Sequence, residues 1–215
     1  MGRLLCFIFL LGFGQNILAT SINYDSLLIV AQSTDSREVF EAIEQTIRSE
    51  ENEYNVPTAV ELIVYCSSRT KVLNYEFLHG KFKFQESTIH VNRGDLGAGM
   101  KMAREALRIF SKYHTLEAAR CYNTMGSMTA ALGDYKTALE YLEKADLICE
   151  HFKDAPRCAY MRCDNLLVTA YIYMLAKDYE NAIIYLDQCM EFGTQIDYKL
   201  TVNSCYLNFA DVYRI

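Results

Sequence analysis

The chain has no tryptophan, two prolines and four histidines in 215 residues, and no apolar stretch approaching the length of a membrane span. A spanning helix needs about 20 apolar residues, so no internal segment is read as one. Scarce proline, ten glycines and no low-complexity tract exclude a disordered linker. His79, His90, His114 and His151 are scattered and have no partner motif, so neither a metal set nor a histidine-based catalytic set is expected. Basic residues are also in deficit. The formal net charge is −6, and removing residues 1–19 takes away Arg3 and no acid, leaving net −7. An acidic chain lacks the basic face that nucleic acid or anionic lipid requires. Gly94-x2-Gly97-x-Gly99 does not follow a strand and reads as a flexible turn rather than a phosphate loop. Glu50-Glu51 and Glu140-Glu143 read as solvated helix faces, with Glu140 and Lys144 as an i,i+4 pair. No enzyme, cofactor, metal or direct small-molecule substrate is expected.

What the chain does contain is one pattern written twice, 44 residues apart. The first copy, within 119–145, has Tyr122, Met125, Gly126, Thr129, Gly133-Asp134-Tyr135, Ala138, Leu142 and Ala145. The second, within 163–189, has Leu166, Thr169, Ala170, Tyr173, Lys177-Asp178-Tyr179, Ala182, Leu186 and Cys189. A third copy begins at Tyr206, Phe209, Ala210 and Tyr213. A repeat at this period means stacked supersecondary units. Offsets of three and four put each set on one helical face. Gly133 ends one helix and Asp134 caps the next. Gly126 and Ala138 are small because the two helix backbones must approach there, and overpacking such a point costs about 1–3 kcal/mol. No alternating apolar run predicts a sheet. Of the sixteen tyrosines, Tyr135 and Tyr179 recur at one repeat position, as do Tyr141 and Tyr185.

These residues resemble the tetratricopeptide repeat family. Its pattern of large apolar residue, Gly or Ala, aromatic, Ala, large apolar residue and Ala falls on Tyr122, Gly126, Thr129, Ala138, Leu142 and Ala145. Thr129 departs from the aromatic, Cys189 from the final Ala, and the closing proline appears only loosely, as Pro156. The family period is about 34 residues, so this chain adds about ten, spread over longer helices. The stretch from Asp134 to His151 reads as one helix of about 27 Å. The resemblance implies an all-α, right-handed α-α superhelix of antiparallel helix pairs. Upstream, Gly94-Asp95-Leu96 with Gly99, Ala103 and Ala106 repeats the second half of the unit. The helix before it, about 77–92, is irregular, with Lys83 and Glu86 at apolar positions. Val39, Phe40, Ile43 and Ile47 form an amphipathic helix opened by Asp35 or Ser36. Another helix begins at Thr58 after Pro57 and contains Val60, Ile63, Val64 and Val72. The expected organisation is 1–19 leader, 20–76 degenerate or capping repeats, 77–118 divergent repeat, 119–162 and 163–202 repeats, and 203–215 the first helix of an incomplete one.

The N-terminal end pulls towards export, and the cysteines pull the other way. Arg3 followed by the charge-free Leu4–Phe13, with Ala19 at the exit, has the form of a secretory signal peptide, and cleavage is expected after Ala19. An uncleaved N-terminal anchor is the alternative. No Cys lies at that boundary, which argues against a lipoprotein. Beyond Cys6 lie Cys66, Cys121, Cys149, Cys158, Cys163, Cys189 and Cys205, an odd set that leaves a free thiol in an exported domain. Several stand where the repeat wants a small apolar residue, which reads as core thiols and weighs against an oxidising compartment. Cys158-x4-Cys163 is a candidate pair or metal half-site without a His at ligand spacing. Tyr206, Phe209 and Tyr213 leave an apolar face at the C-terminus. We therefore expect either a longer protein or another surface that covers this end.

In this family the first helix of each repeat lines the concave groove with the residues between its packing positions. Carried onto this chain, those are Arg120, Asn123, Ser127 and Ala130, then Asp164, Leu167, Tyr171 and Met174, then Leu207, Asp211 and Arg214. The set lacks the Lys and Asn arrangement with which one branch of the family clamps a terminal carboxylate. The implied partner is a protein or peptide, with membrane association only through a leader or a downstream segment. The layout of leader, acidic repeats and open end is similar to the extracytoplasmic sensor region of bacterial membrane-anchored diguanylate cyclases or histidine kinases. Two other readings stand beside it: an exported structural scaffold, and an intracellular peptide-responsive regulator.

Overall fold

The computed structural model describes residues 23–49, 56–153 and 155–214. The leader at 1–19, Cys6 and Glu50-Glu51 lie outside them. The described residues form ten helices and no strand: α1 Tyr24–Gln32, α2 Arg37–Ser49, α3 Pro57–Val72, α4 Glu76–Asn92, α5 Leu96–Tyr113, α6 Glu117–Ala131, α7 Tyr135–His151, α8 Pro156–Leu175, α9 Tyr179–Gln195 and α10 Lys199–Tyr213. Among them none is long and apolar enough to cross a membrane. The chain divides into two compact units, one up to Ile89 and one from His90.

In the first unit, Val39, Phe40, Ile43 and Ile47 of α2 are buried as their spacing predicts, together with Leu62 and Ile63 of α3 and Phe82 of α4. Ser36 opens α2, its Oγ accepting from the Val39 amide at 3.4 Å. Within α3, Val60 packs against the core but Val64 and Val72 face solvent. Helix α1, capped by Asn23, was not visible in the sequence, because nine residues are too few to show a period. The irregularity of α4 has a physical reason. The Lys83 ammonium lies 2.9 Å from Glu86, and Lys81 lies 2.9 Å from Glu44 of α2. The polar residues at apolar positions are therefore paired, as burial of charge requires.

One turn recurs along the chain. Gly94 and Gly133 have φ of +76° and +87°, and Asn74, Lys177 and Asp197 enter the same left-handed region without glycine. In all five turns the residue after the left-handed one donates its amide to the carbonyl five residues back, as Asp134 does to Thr129 and Tyr198 to Gly193. The left-handed residue itself donates three back, as Gly133 does to Ala130 and Lys177 to Met174. Both bonds together make a Schellman motif, which satisfies carbonyls that a helix end leaves orphaned. Three turns then cap the next helix with Asp: Asp95, Asp134 and Asp178 accept from the amides of Ala98, Thr137 and Asn181.

The second unit stacks α5 to α10 in adjacent pairs. Ala138, Leu142 and Ala145 of α7 are buried against α6, and Ala182, Leu186 and Cys189 of α9 repeat the arrangement against α8. Thr129, in place of the family's aromatic, is buried and donates its hydroxyl to the Met125 carbonyl. Lys144 lies over the rings of Tyr122 and Tyr141, at 5.9 and 5.6 Å. Of the third copy, Tyr206, Ala210 and Tyr213 are exposed and Phe209 stacks on Tyr213, while Thr201, Cys205 and Val212 form the buried side of α10.

The close approach at Gly126 is direct. A Cβ there would lie 3.0 Å from Leu142 Cδ2 and 3.2 Å from the Ala138 carbonyl oxygen. The second of these is backbone, so relief requires the helices to separate. Gly126→Ala gains about 1 kcal/mol of helix propensity and loses about 1–3 kcal/mol to overpacking. We expect net destabilisation of about 1 kcal/mol in urea unfolding. A stabilised variant would contradict the close-packed crossing.

Candidate binding groove

Helices α6, α8 and α10, expected to be the first helices of successive repeats, lie in series in the second unit, with α8 against both α6 and α10. Of the nine expected groove residues, Tyr171, Leu207 and Asp211 are exposed, and Arg120, Asn123, Ser127, Asp164, Leu167 and Met174 are half-buried. Two of them tie neighbouring first helices together. Asn123 Nδ2 donates to Asn165 Oδ1 at 2.6 Å, joining α6 to α8. Asp164 Oδ1 accepts from Thr201 Oγ1 at 3.2 Å, joining α8 to α10. Leu167 and Met174 pack partly against the core around Cys163 and Leu186. Ser127 donates its hydroxyl to the Asn123 carbonyl one turn back. Ala130 is buried, so it belongs to the packing and not to the lining.

The residue that sequence reasoning missed is Asn165. It lies 44 positions after the buried Cys121 and is itself only 2 % exposed. Its Nδ2 donates to Asp146 Oδ1 of α7 at 2.6 Å while its Oδ1 accepts from Asn123. One polar side chain thus joins three helices. The ionised carboxylate sets the direction of the chain, because it can only accept. Asn165 must turn its amide towards Asp146 and its carbonyl towards Asn123, which leaves the Asn123 carbonyl for another donor. A polar residue at a packing position was the available signal, but its partners are far apart in sequence.

Burial raises the Asp146 carboxyl above its usual range, against the opposing hydrogen bond from Asn165 and the nearby Arg162 guanidinium. With the folded value above the unfolded one, the folded state holds the proton more tightly between the two. The contribution to stability is then full below the unfolded value and is lost as pH rises through the folded one. Asp146→Asn keeps an acceptor for Asn165 and removes the charge. We expect its stability relative to wild type to be highest near pH 7 and to fall towards pH 4 in parallel denaturation curves. A difference independent of pH would show that the buried charge carries no cost.

The described thiols belong to the packed interior. All seven described cysteines are free and buried. Burial pushes Cys66 and Cys149 up to about 12 and raises Cys121 further, so no reactive thiolate is available there. Cys158 and Cys163 do not pair with each other. Cys158 donates to the Cys149 carbonyl, and the Cys163 and Cys189 sulfurs lie 3.8 Å apart between α8 and α9. Among the described residues no group of three potential ligands could hold a metal.

Helix pairs in one register, with small residues where α6 meets α7 and α8 meets α9, define a helical repeat scaffold. The family model described as tetratricopeptide repeat matches residues 119–151 and 167–192, and these two segments are tetratricopeptide repeats. No curated protein matches the sequence. Among solved structures 25 chains match. One is the crystal structure of a Rap protein complexed with competence and sporulation factor, at 12 % identity and a TM-score of 0.57. The match covers 89 % of this chain and 57 % of that one, so this chain spans little more than half the length of that structure. At this identity the likeness shows a shared fold.

Proposed function

We propose that the chain captures a peptide or an extended protein segment along α6, α8 and α10, and that it works as a binding module rather than as a catalyst. The observation that carries this is the outward row between the packing positions, with Tyr171, Leu207 and Asp211 exposed on neighbouring first helices. Matched tetratricopeptide repeats support a protein ligand, and the Rap structure was solved with its factor bound. Exposed aromatic and aliphatic side chains on a rigid scaffold supply apolar contact at low entropic cost, and the Asn123 carbonyl accepts from a ligand amide.

The leader-like residues Arg3 and Leu4–Phe13 support an extracytoplasmic setting, in which the module is the sensor or interaction part of a longer bacterial signalling protein. A second reading, an intracellular peptide-responsive regulator, is favoured by the seven free thiols. N-terminal sequencing of the protein from its native host separates them: a chain starting at Thr20 supports export, and an intact Met1 supports the second reading.

The groove is tested with a peptide selected from a random library on the full chain. Tyr171→Ala with Leu167→Ala is expected to weaken its binding at least about tenfold, or about 1.4 kcal/mol, by fluorescence anisotropy. Tyr171→Ala alone, at an exposed position, gives a smaller loss with unchanged thermal unfolding. Unchanged affinity in the double variant removes the groove assignment.

A further inference from the structure

A pocket of about 320 Å³ lies among α7, α8 and α9, and it uses none of the nine groove residues. Asp146, Arg162, Leu166, Gln188, Glu191 and Phe192 line it. Its volume is at the lower end of small-ligand sites, which run from about 300 to 1,000 Å³. That fits a molecule of amino-acid size better than a folded partner.

The charges decide what kind of molecule. The lining carries one guanidinium and two carboxylates beside the apolar Leu166 and Phe192. A purely cationic ligand meets Arg162, and a purely anionic one meets Asp146 and Glu191. Only a ligand carrying both signs finds a partner for each. One of the anions is held in place, and the exposed cation rests near an aromatic ring. Arg162 lies over the Phe192 ring, its guanidinium carbon 5.9 Å from the centroid, which leaves the N–H edge of the fork to an incoming carboxylate. Asp146 is fixed through Oδ1 by the buried Asn165, which leaves Oδ2 for another donor. Glu191 takes a longer bond of 3.4 Å from Gln195. Burial of the Asp146 carboxylate beyond what Asn165 compensates also favours a cation arriving beside it.

We propose that this pocket binds a free α-amino acid as its zwitterion, with the carboxylate on Arg162, the ammonium between Asp146 and Glu191, and the side chain against Leu166 and Phe192. The site shares no lining residue with the groove. Because Asn165 joins Asp146 to Asn123, occupancy of the pocket is nevertheless connected to a residue of the groove through two hydrogen bonds.

The test is a titration of the ¹⁵N-labelled full chain with L-leucine, L-glutamine and L-arginine, each to about 10 mM, a range suited to millimolar affinity. N-acetyl-L-leucine, which lacks the ammonium, and L-leucinamide, which lacks the carboxylate, are the controls. The expected result is a saturable shift of the Arg162, Gln188, Glu191 and Phe192 amides with at least one amino acid. Both blocked compounds should bind at least tenfold more weakly than leucine if leucine is that ligand, and blocked forms of glutamine or arginine serve otherwise. Arg162→Gln, at an exposed position, should abolish the shift with an unchanged circular dichroism spectrum, and Tyr171→Ala should leave it intact. Equal shifts from free and blocked forms, or no saturable shift with any of the three amino acids, would overturn the proposal.

Discussion

Two helices can lie as close as α6 and α7 only where neither places a side chain between them, and Gly126 facing the Ala138 carbonyl is that place. The rest of the second unit follows from this contact. With the backbones so near, Leu142 closes over the crossing, and Ala145 and Cys149 continue the same buried face of α7. The following pair keeps the arrangement with the buried Ala170, Ala182, Leu186 and Cys189. A register fixed by small residues leaves some of the positions between them, Tyr171, Leu207 and Asp211, exposed and free of packing duty. Those positions are where a ligand surface can change without loss of the fold.

The helix ends hold the register along the chain. The left-handed residues at Asn74 and Gly94 lie 20 positions apart, as do those at Lys177 and Asp197. One helix and its turn thus take about three residues more than in a repeat of about 34. Each turn satisfies its own carbonyls, so pairs can stack without leaving polar backbone groups in the interface. Lys177 and Asp197 accept a conformation that costs a non-glycine residue about 1–2 kcal/mol, which shows that the surrounding packing dictates the turn.

Much of this was legible in the residues. The helix–turn–helix unit, the Gly133-Asp134 turn, the small crossing at Gly126 and Ala138, and the burial of the α2 stripe all follow from spacing and residue size. The left-handed turns at Asn74 and Asp197 were not legible, because Asn-Tyr and Asp-Tyr carry no unique turn signal. Helix α1 was too short to show a period. Asn165 was hidden for a different reason: its role depends on Asn123 and Asp146, 42 and 19 residues away. Lys83 and Glu86 looked like breaks in a helical face until their pairing explained them. Among the groove residues that the family resemblance implied, Tyr171, Leu207 and Asp211 are exposed. The resemblance could not show that Asn123 and Asp164 also serve as struts between helices.

On the proposed reading the scaffold separates holding from binding. Buried Ala, Gly and Cys hold the pairs, while α8 and α10 expose Tyr171, Leu207 and Asp211. Hydrogen–deuterium exchange on the full chain, with and without a library-selected peptide, tests that division most directly. The account predicts added protection along α6, α8 and α10, with α7 and α9 unchanged. Protection confined to α7 and α9 would contradict it.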